Sequence, residues 1–385
     1  MKQILLVIVL CHSVIVFGQY TFIPDPNFEQ ALINLGYDNN LDGQVLTNNI
    51  NTIDSLPLSG LTISNLTGIN NFSALEFLDC ESCELTTIDL TNNSNLKYVN
   101  LITNFLTLVN VNGLDFLTTL TLSSNQLSNI DVSTNTSLQN LDISYNLISN
   151  INVQGNSSLL SLDCSNNLLT TLNLSNNLLL ENLVCGNNSI SSLNLSALSS
   201  LVNLNCMYNQ LTTLDVSQNQ SLTVVNSIHN NLSTVDINGS MSLQTISFDF
   251  NQISELNCSG TPQLKQLSMY SNNLNCLNIK NGNYTNWNNL AIQNNPSLSC
   301  IQVDDAVWAS SNLNNWLDPQ QTFSQDCNNV CSNSFLGVTE ENINQNKHLQ
   351  KIINLLGQEV EFNPNTLLLY QYSNGTTEKV FTIEK

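Results

Sequence analysis

From Leu75 onward one apolar pattern returns every 21 residues, at Leu96, Leu117, Leu138, Leu159, Leu180, Leu201, Leu222, Leu243 and Leu264. Ten units therefore follow one another without a slip in register. Counting from these leucines, positions 1, 4, 6, 11, 14 and 16 are apolar and position 9 is usually Asn; Leu159 to Leu174 shows the rule in full. A unit this short cannot bury its own apolar face, but stacked on its neighbours it contributes to one continuous core. Positions 4 and 6 alternate with polar 3, 5 and 7, the period of a half-buried strand. The returning half of each unit is too short and too alternating for a helix, so extended structure is expected on both sides. The pattern predicts a mostly β solenoid with one parallel sheet on its concave face, about 45–50 Å long at roughly 4.8 Å per unit.

The asparagines at position 9 are Asn104, Asn125, Asn146, Asn167, Asn188, Asn209, Asn230, Asn251 and Asn272. They fall where the chain leaves the sheet, where a buried carboxamide can satisfy backbone groups that would otherwise lose their hydrogen bonds. One burial rule explains all nine, so they read as structural rather than ligand-binding. Together with the leucine columns they match the leucine-rich-repeat signature. The full unit resembles the short bacterial IRREKO class of these repeats over roughly residues 56–303.

Charge narrows the function. The chain has eight Lys, no Arg and 29 acidic residues, a formal −21. Nucleic-acid binding needs clustered cations and is excluded as a partner class, as is docking on an anionic membrane surface. Residues 1–18 read as a signal peptide: Lys2 opens it, Ile4 to Phe17 is nearly all apolar, and Gly18 precedes a cut at Gln19. Its removal takes away one Lys and no acid, leaving −22. No other stretch is long and apolar enough to span a bilayer. The protein is expected to be secreted or held at the outer cell surface.

The ends need caps. Residues 19–55 contain a helical signal over 24–36, with Asp25 as N-cap, Pro26 in the first turn, Phe28, Ala31, Leu32 and Leu35 on one face, and Gly36 after the end. Asp38 to Gly43 has the first half of a calcium-loop spacing. Asn49 stands where the closing Glu belongs, so an Asx-rich turn is expected instead. Residues 304–331 form the far cap, and the stretch from Asn295 through Cys327 resembles the closing segment of secreted bacterial repeat proteins. That resemblance implies a Cys300–Cys327 disulfide. Cys80, Cys164, Cys185 and Cys206 occupy position 6 and read as small buried hydrophobes. Cys83 takes an Asn-column slot, and the sequence assigns no partner to Cys276 or Cys331.

Residues 332–385 depart from the repeat. Leu349 to Val360 reads as a strand and turn, and two apolar runs flank Ser373-Asn-Gly375, a hairpin signal. Leu355-Leu-Gly-Gln-Glu-Val360, Leu368 to Lys379 and the terminal Lys385 resemble the latter half of the C-terminal sorting domain of the type IX secretion system. The resemblance implies a small β tail read by that secretion machinery.

Chemistry is sparse. His229 is the one imidazole inside the solenoid, and no nucleophile elbow, phosphate loop or zinc-protease motif occurs. No enzyme, cofactor or metal is expected. The outward sheet positions are mostly Ser, Thr, Asn and Asp in units three to five, then change to Met207 and Tyr208, Ile228 and His229, Asp249 and Phe250, and Tyr270. Stacking makes these one apolar-aromatic patch, a candidate site for a protein or glycan ligand. The competing readings are a structural or adhesive spacer without a discrete site, and ice or mineral binding through Thr at positions 12 and 13. Leu108 and Asn275 interrupt that last array.

Overall fold

The computed structural model describes residues 19–313, 317–328 and 331, and the strands at 349–353, 367–372 and 377–381. The expected signal peptide lies outside the described residues, as do the stretch at 355–360, the turn at 373–375 and Lys385. The chain divides into two compact units after residue 333.

In the first unit, outward residues flank one inward residue in every strand of a 12-stranded parallel sheet that runs from Ser55–Pro57 to Asn289–Ala291. Its rungs pair in strict register, Leu141 beside Leu162 beside Leu183, so each inward Leu, Val or Ile packs on its equivalents above and below. On the return side, positions 11, 14 and 16 are mostly buried. Paired strands form there in the first two units, as at Thr87–Asp89 with Leu108–Asn110, and again from unit seven onward, as at Thr213–Asp215 with Thr234–Asp236, but not in units three to six. The solenoid is thus continuous on one face and discontinuously paired on the other. The second unit contains a three-stranded antiparallel sheet of Leu349–Ile353, Leu367–Tyr372 and Thr377–Phe381.

Position 9 closes each turn. Asn146 donates through Nδ2 to the carbonyls of Leu122 (3.0 Å), Ile143 and Ser144 (both 3.1 Å), and its Oδ1 accepts from the Leu127 amide at 2.9 Å. The side chain therefore reaches a rung that is not its own, and the same set recurs at Asn167, Asn209 and Asn251. A second column stands at position 19: Asn93, Asn135, Asn156, Asn177 and Asn219 are fully buried. Asn156 donates to the carbonyls of Val132 and Asn135, both at 2.9 Å, but these already accept the amides of Asn135 and Leu138. Its Oδ1 has no partner. Leu114 and Leu198 fill the same slot elsewhere, so this column is less demanding than the first.

The N-terminal cap pairs Tyr20–Phe22 with Gln44–Leu46 and places the helix Pro26–Asn34 over the first rung. Asp25 Oδ1 caps that helix at the amides of Asn27 and Phe28, while Oδ2 accepts from the amides of Ser64 and Asn65. Burial alone would raise its carboxyl; the hydrogen bonds from Phe28, Ser64 and Asn27 outweigh it and hold it below the usual carboxylate range. Buried Glu29 accepts the amides of Asp42, Gly43 and Gln44 at 2.9, 2.6 and 3.0 Å, so the 38–43 turn is organised around a protein carboxylate. At the far end the helix Ala306–Asn312, capped by Asp305, and the strand Thr322–Ser324 cover the last rungs.

The cysteines divide into two chemical kinds. Cys80 is fully buried, but it is not a free thiol: it is bonded to Cys83 across 5.6 Å between Cα atoms. The turn that Asn closes elsewhere brings residues three apart to this spacing, so a covalent bond replaces the carboxamide of that unit. Cys276 is bonded to Cys331, and Cys300 to Cys327. Cys164, Cys185, Cys206 and Cys258 are free and buried. Burial pushes the Cys206 thiol up to about 11 and the other three further.

Two outcomes follow. Asn146→Leu orphans a buried amide and three carbonyl contacts and is expected to cost roughly 2–4 kcal/mol. Asn156→Leu should cost below about 1 kcal/mol, because both of its carbonyl partners keep backbone donors. Urea unfolding of the two variants checks this, and equal losses would contradict it. The four free thiols should resist alkylation at mildly alkaline pH until the chain unfolds; rapid labelling of native protein would contradict their burial.

Candidate binding face

Position 8, three residues past the end of each strand, adopts the same left-handed backbone in ten units, with φ between 51 and 59°. For most L-residues that conformation costs roughly 1–2 kcal/mol. Asn166 and Asn187 suit it. His229, at 54°, is tolerated there, whereas Tyr208 and Phe250, at φ of 51 and 55°, are strained. Identical backbones one rung apart bring their rings into register. Tyr208 stacks on His229 at 4.5 Å and 17°, and His229 on Phe250 at 4.2 Å and 4°. Tyr270, one position earlier in the next unit, meets Phe250 edge-on at 5.3 Å and 66°. Tyr208 and Phe250 stay 48% and 43% exposed.

The remaining expected residues flank this ladder. Met207 and Ile228 are half-buried at position 7. Gly186 makes room for Met207, since a Cβ there would lie 3.2 Å from its Cγ. Asp249 is held by its neighbours within the face. Its Oδ1 accepts the Ser268 hydroxyl and the Tyr270 amide, both at 2.6 Å, and so fixes where Tyr270 sits. Val224 adds exposed apolar surface at position 3 of the same region.

Sequence reasoning missed a second aromatic pair on this face. Phe77 and Tyr98, at position 3 of the first two units, stack at 4.6 Å and 6°. Two aromatics at one position of consecutive units were the available signal. Beside them, Asn100 donates to Asp79 at 3.0 Å and to Glu81 at 3.2 Å. Burial, then Asp79 and Glu81, raise the Tyr98 hydroxyl above its ordinary value.

Among the described residues the only imidazole, His229, has an aromatic ring on each face. Among the same residues no cluster of three His, Cys, Asp or Glu could hold a metal ion. No helix among them is long and apolar enough to cross a membrane.

Comparisons with known proteins agree on the fold. The family profile described as the leucine-rich-repeat domain of the endo-beta-N-acetylglucosaminidase EndoS matches residues 43–146. No curated protein sequence matches the chain. Among solved structures, the functional domain of InlJ from Listeria monocytogenes is 28% identical, with a TM-score of 0.67 over 80% of this chain and 70% of that one. That domain is described as including a cysteine ladder, and Cys164, Cys185 and Cys206 form three stacked rungs here. The internalin InlF of the same organism is 19% identical, with a TM-score of 0.57 over 80% of this chain and 97% of that one. A leucine-rich-repeat protein of Leptospira interrogans is 21% identical, with a TM-score of 0.50 over 71% and 81%. The chain is a leucine-rich-repeat solenoid of stacked 21-residue units.

Replacing Tyr208, His229 and Phe250 together by Asn should change unfolding stability by no more than about 2 kcal/mol, because relieved backbone strain offsets lost stacking. A loss above roughly 4 kcal/mol in urea titration would make the ladder a structural element of the core.

Proposed function

We propose that this chain is a non-enzymatic, secreted or cell-surface binding protein, recognising a protein or glycan ligand through Tyr208, His229, Phe250 and Tyr270 on the concave sheet face. The observation that carries this reading is the in-register stacking of three aromatic rings on this face, with Tyr208 and Phe250 48% and 43% exposed. A contiguous exposed aromatic patch of that kind often marks an interaction site. Tyr and Phe are also favoured anchors of interfaces. Met207 and Ile228 extend the contact surface, and Asp249 positions Tyr270.

Export is supported by the three disulfides, which persist in oxidising compartments. Residues 1–18 would direct the chain out of the cytoplasm, and the tail beyond residue 332 would be read by the type IX machinery. The likeness to EndoS is to the leucine-rich-repeat domain of that enzyme and gives no reason to assign hydrolysis here.

The test compares the mature solenoid with a Tyr208→Ser, Phe250→Ser, Tyr270→Ser variant, in pull-downs from culture and surface extracts and on a glycan array. Loss of a specific partner by the variant, with circular dichroism unchanged, supports the ladder as the site. Equal recovery by both proteins would sink this reading and leave a spacer role in its place.

A further inference from the structure

Among the described residues of the first compact unit no element covers the outward face of the main sheet, and its two ends differ in chemistry. Position 5 supplies Asp79, Asp142 and Asp163, and position 7 supplies Glu81, all within the first five units. Every hydrogen bond to these carboxylates comes from a neutral donor. Asp79 accepts from Ser59, Asn100 and the Glu81 amide, and Glu81 from Asn100. Asp142 and Asp163 accept only from Ser144 and Ser165. Among the described residues the one ion pair is Lys97 with Glu76 at 2.7 Å, at the margin of this region. Four carboxylates thus lie on this face with no counter-charge among the described residues, and two of them, Asp79 and Glu81, sit beside the stacked rings of Phe77 and Tyr98. On this face units seven to nine carry the aromatic ladder and a single carboxylate, Asp249, already held by Ser268 and the Tyr270 amide.

We infer that this face is a two-part receptor for an extended, basic polypeptide, whose Lys or Arg side chains meet Asp79, Glu81, Asp142 and Asp163 while an apolar stretch meets the ladder. The inference rests on the binding role proposed for the ladder and adds the partner's class. Charge complementarity selects it. An aromatic pair next to carboxylates accommodates both parts of a Lys or Arg, the hydrocarbon stem against the rings and the cation against the acids. The stacking geometry also disfavours a sugar platform, because His229 has both ring faces covered by neighbouring rings. The first and seventh rungs are six steps apart, roughly 29 Å, which about nine extended residues span.

The probe is a synthetic peptide of about twelve residues, enough to cover that span, with alternating Lys in one half and alternating Leu and Phe in the other. Binding is read by fluorescence anisotropy at about 50 and 300 mM salt, concentrations that bracket strong and weak screening. Asp79→Asn with Glu81→Gln keeps the hydrogen-bond acceptors and should weaken binding about tenfold at low salt, flattening its salt dependence. Glu81→Gln alone, at an exposed side chain, should act in the same direction and guards against misfolding of the double variant. Asp89→Asn with Asp131→Asn removes equal charge from the return side and should leave binding unchanged. Binding that ignores the Asp79 and Glu81 changes, or responds equally to the return-side pair, would overturn the inference. No binding to wild-type protein would overturn it as well. A Lys-to-Gln peptide that binds as well as the basic one, and is lost with Tyr208→Ser and Phe250→Ser, would defeat the charge half and leave the ladder reading standing. Basic-peptide binding insensitive to those two serines would do the reverse.

Discussion

A carboxamide that bonds to a neighbouring rung is the contact on which this architecture depends. Asn146 touches its own rung at Ile143 and Ser144, the preceding one at Leu122, and the preceding unit's return segment at Leu127. A leucine in this place would supply apolar volume but would orphan a buried amide, and buried backbone groups in an apolar interior have no water to turn to. Because each Asn reaches across the gap, the turn is the same in every unit, and a fixed turn at position 9 fixes the backbone at position 8. The left-handed φ of ten successive position-8 residues follows from that constraint rather than from their own preferences.

Repetition makes the interior uniform and leaves the ends exposed. Each rung is covered by its neighbours, whereas the first and last have a neighbour on one side only. At the start, Asp25 and Glu29 hold a helix and a turn against the first unit through backbone amides. At the other end two disulfides close loops of 27 and 55 residues around the last rungs, where the period also slips. Leu267 and Leu290 pair as neighbours although they are 23 residues apart, and Trp287 is buried in that longer connection. Covalent closure appears where stacking runs out, which matches the way a cross-link stabilises by restricting the unfolded chain.

The repeat register, the inward leucines and the first Asn column were legible because one physical demand, burial at a fixed period, acts on every unit at once. The aromatic ladder was legible as a cluster for the same reason: equal positions in successive units become neighbours. Its strain was not, since nothing in the residue types of Tyr208 and Phe250 announces a left-handed backbone. Phe77 and Tyr98 escaped notice as a pair because position 3 is otherwise polar and varied. Asp249 was read as a member of the ligand-contacting patch, while its carboxylate also accepts an amide one rung away, a partner only three dimensions reveal. Cys80 and Cys83 misled in another way. A C-x-x-C spacing has several meanings, and only the turn geometry that Asn imposes elsewhere makes a bridge the natural one. The return side was expected to be extended throughout, yet strands do not pair there in units three to six.

The separation of core from face explains how such a chain can vary its outer surface at little energetic expense. Inward positions are shared between rungs, so a change in one unit disturbs two others; outward positions touch only the equivalent residues above and below. A Tyr in place of Asn at position 8 adds backbone strain of roughly 1–2 kcal/mol, and stacking against a like neighbour returns about 0.5–1.5 kcal/mol. A single aromatic there is therefore unfavourable, and consecutive ones approach neutrality. Tyr145, isolated and 60% exposed, has the strain without the stack. The ladder of Tyr208, His229 and Phe250 has both, and that near balance lets an exposed aromatic surface persist on a fold that does not need it.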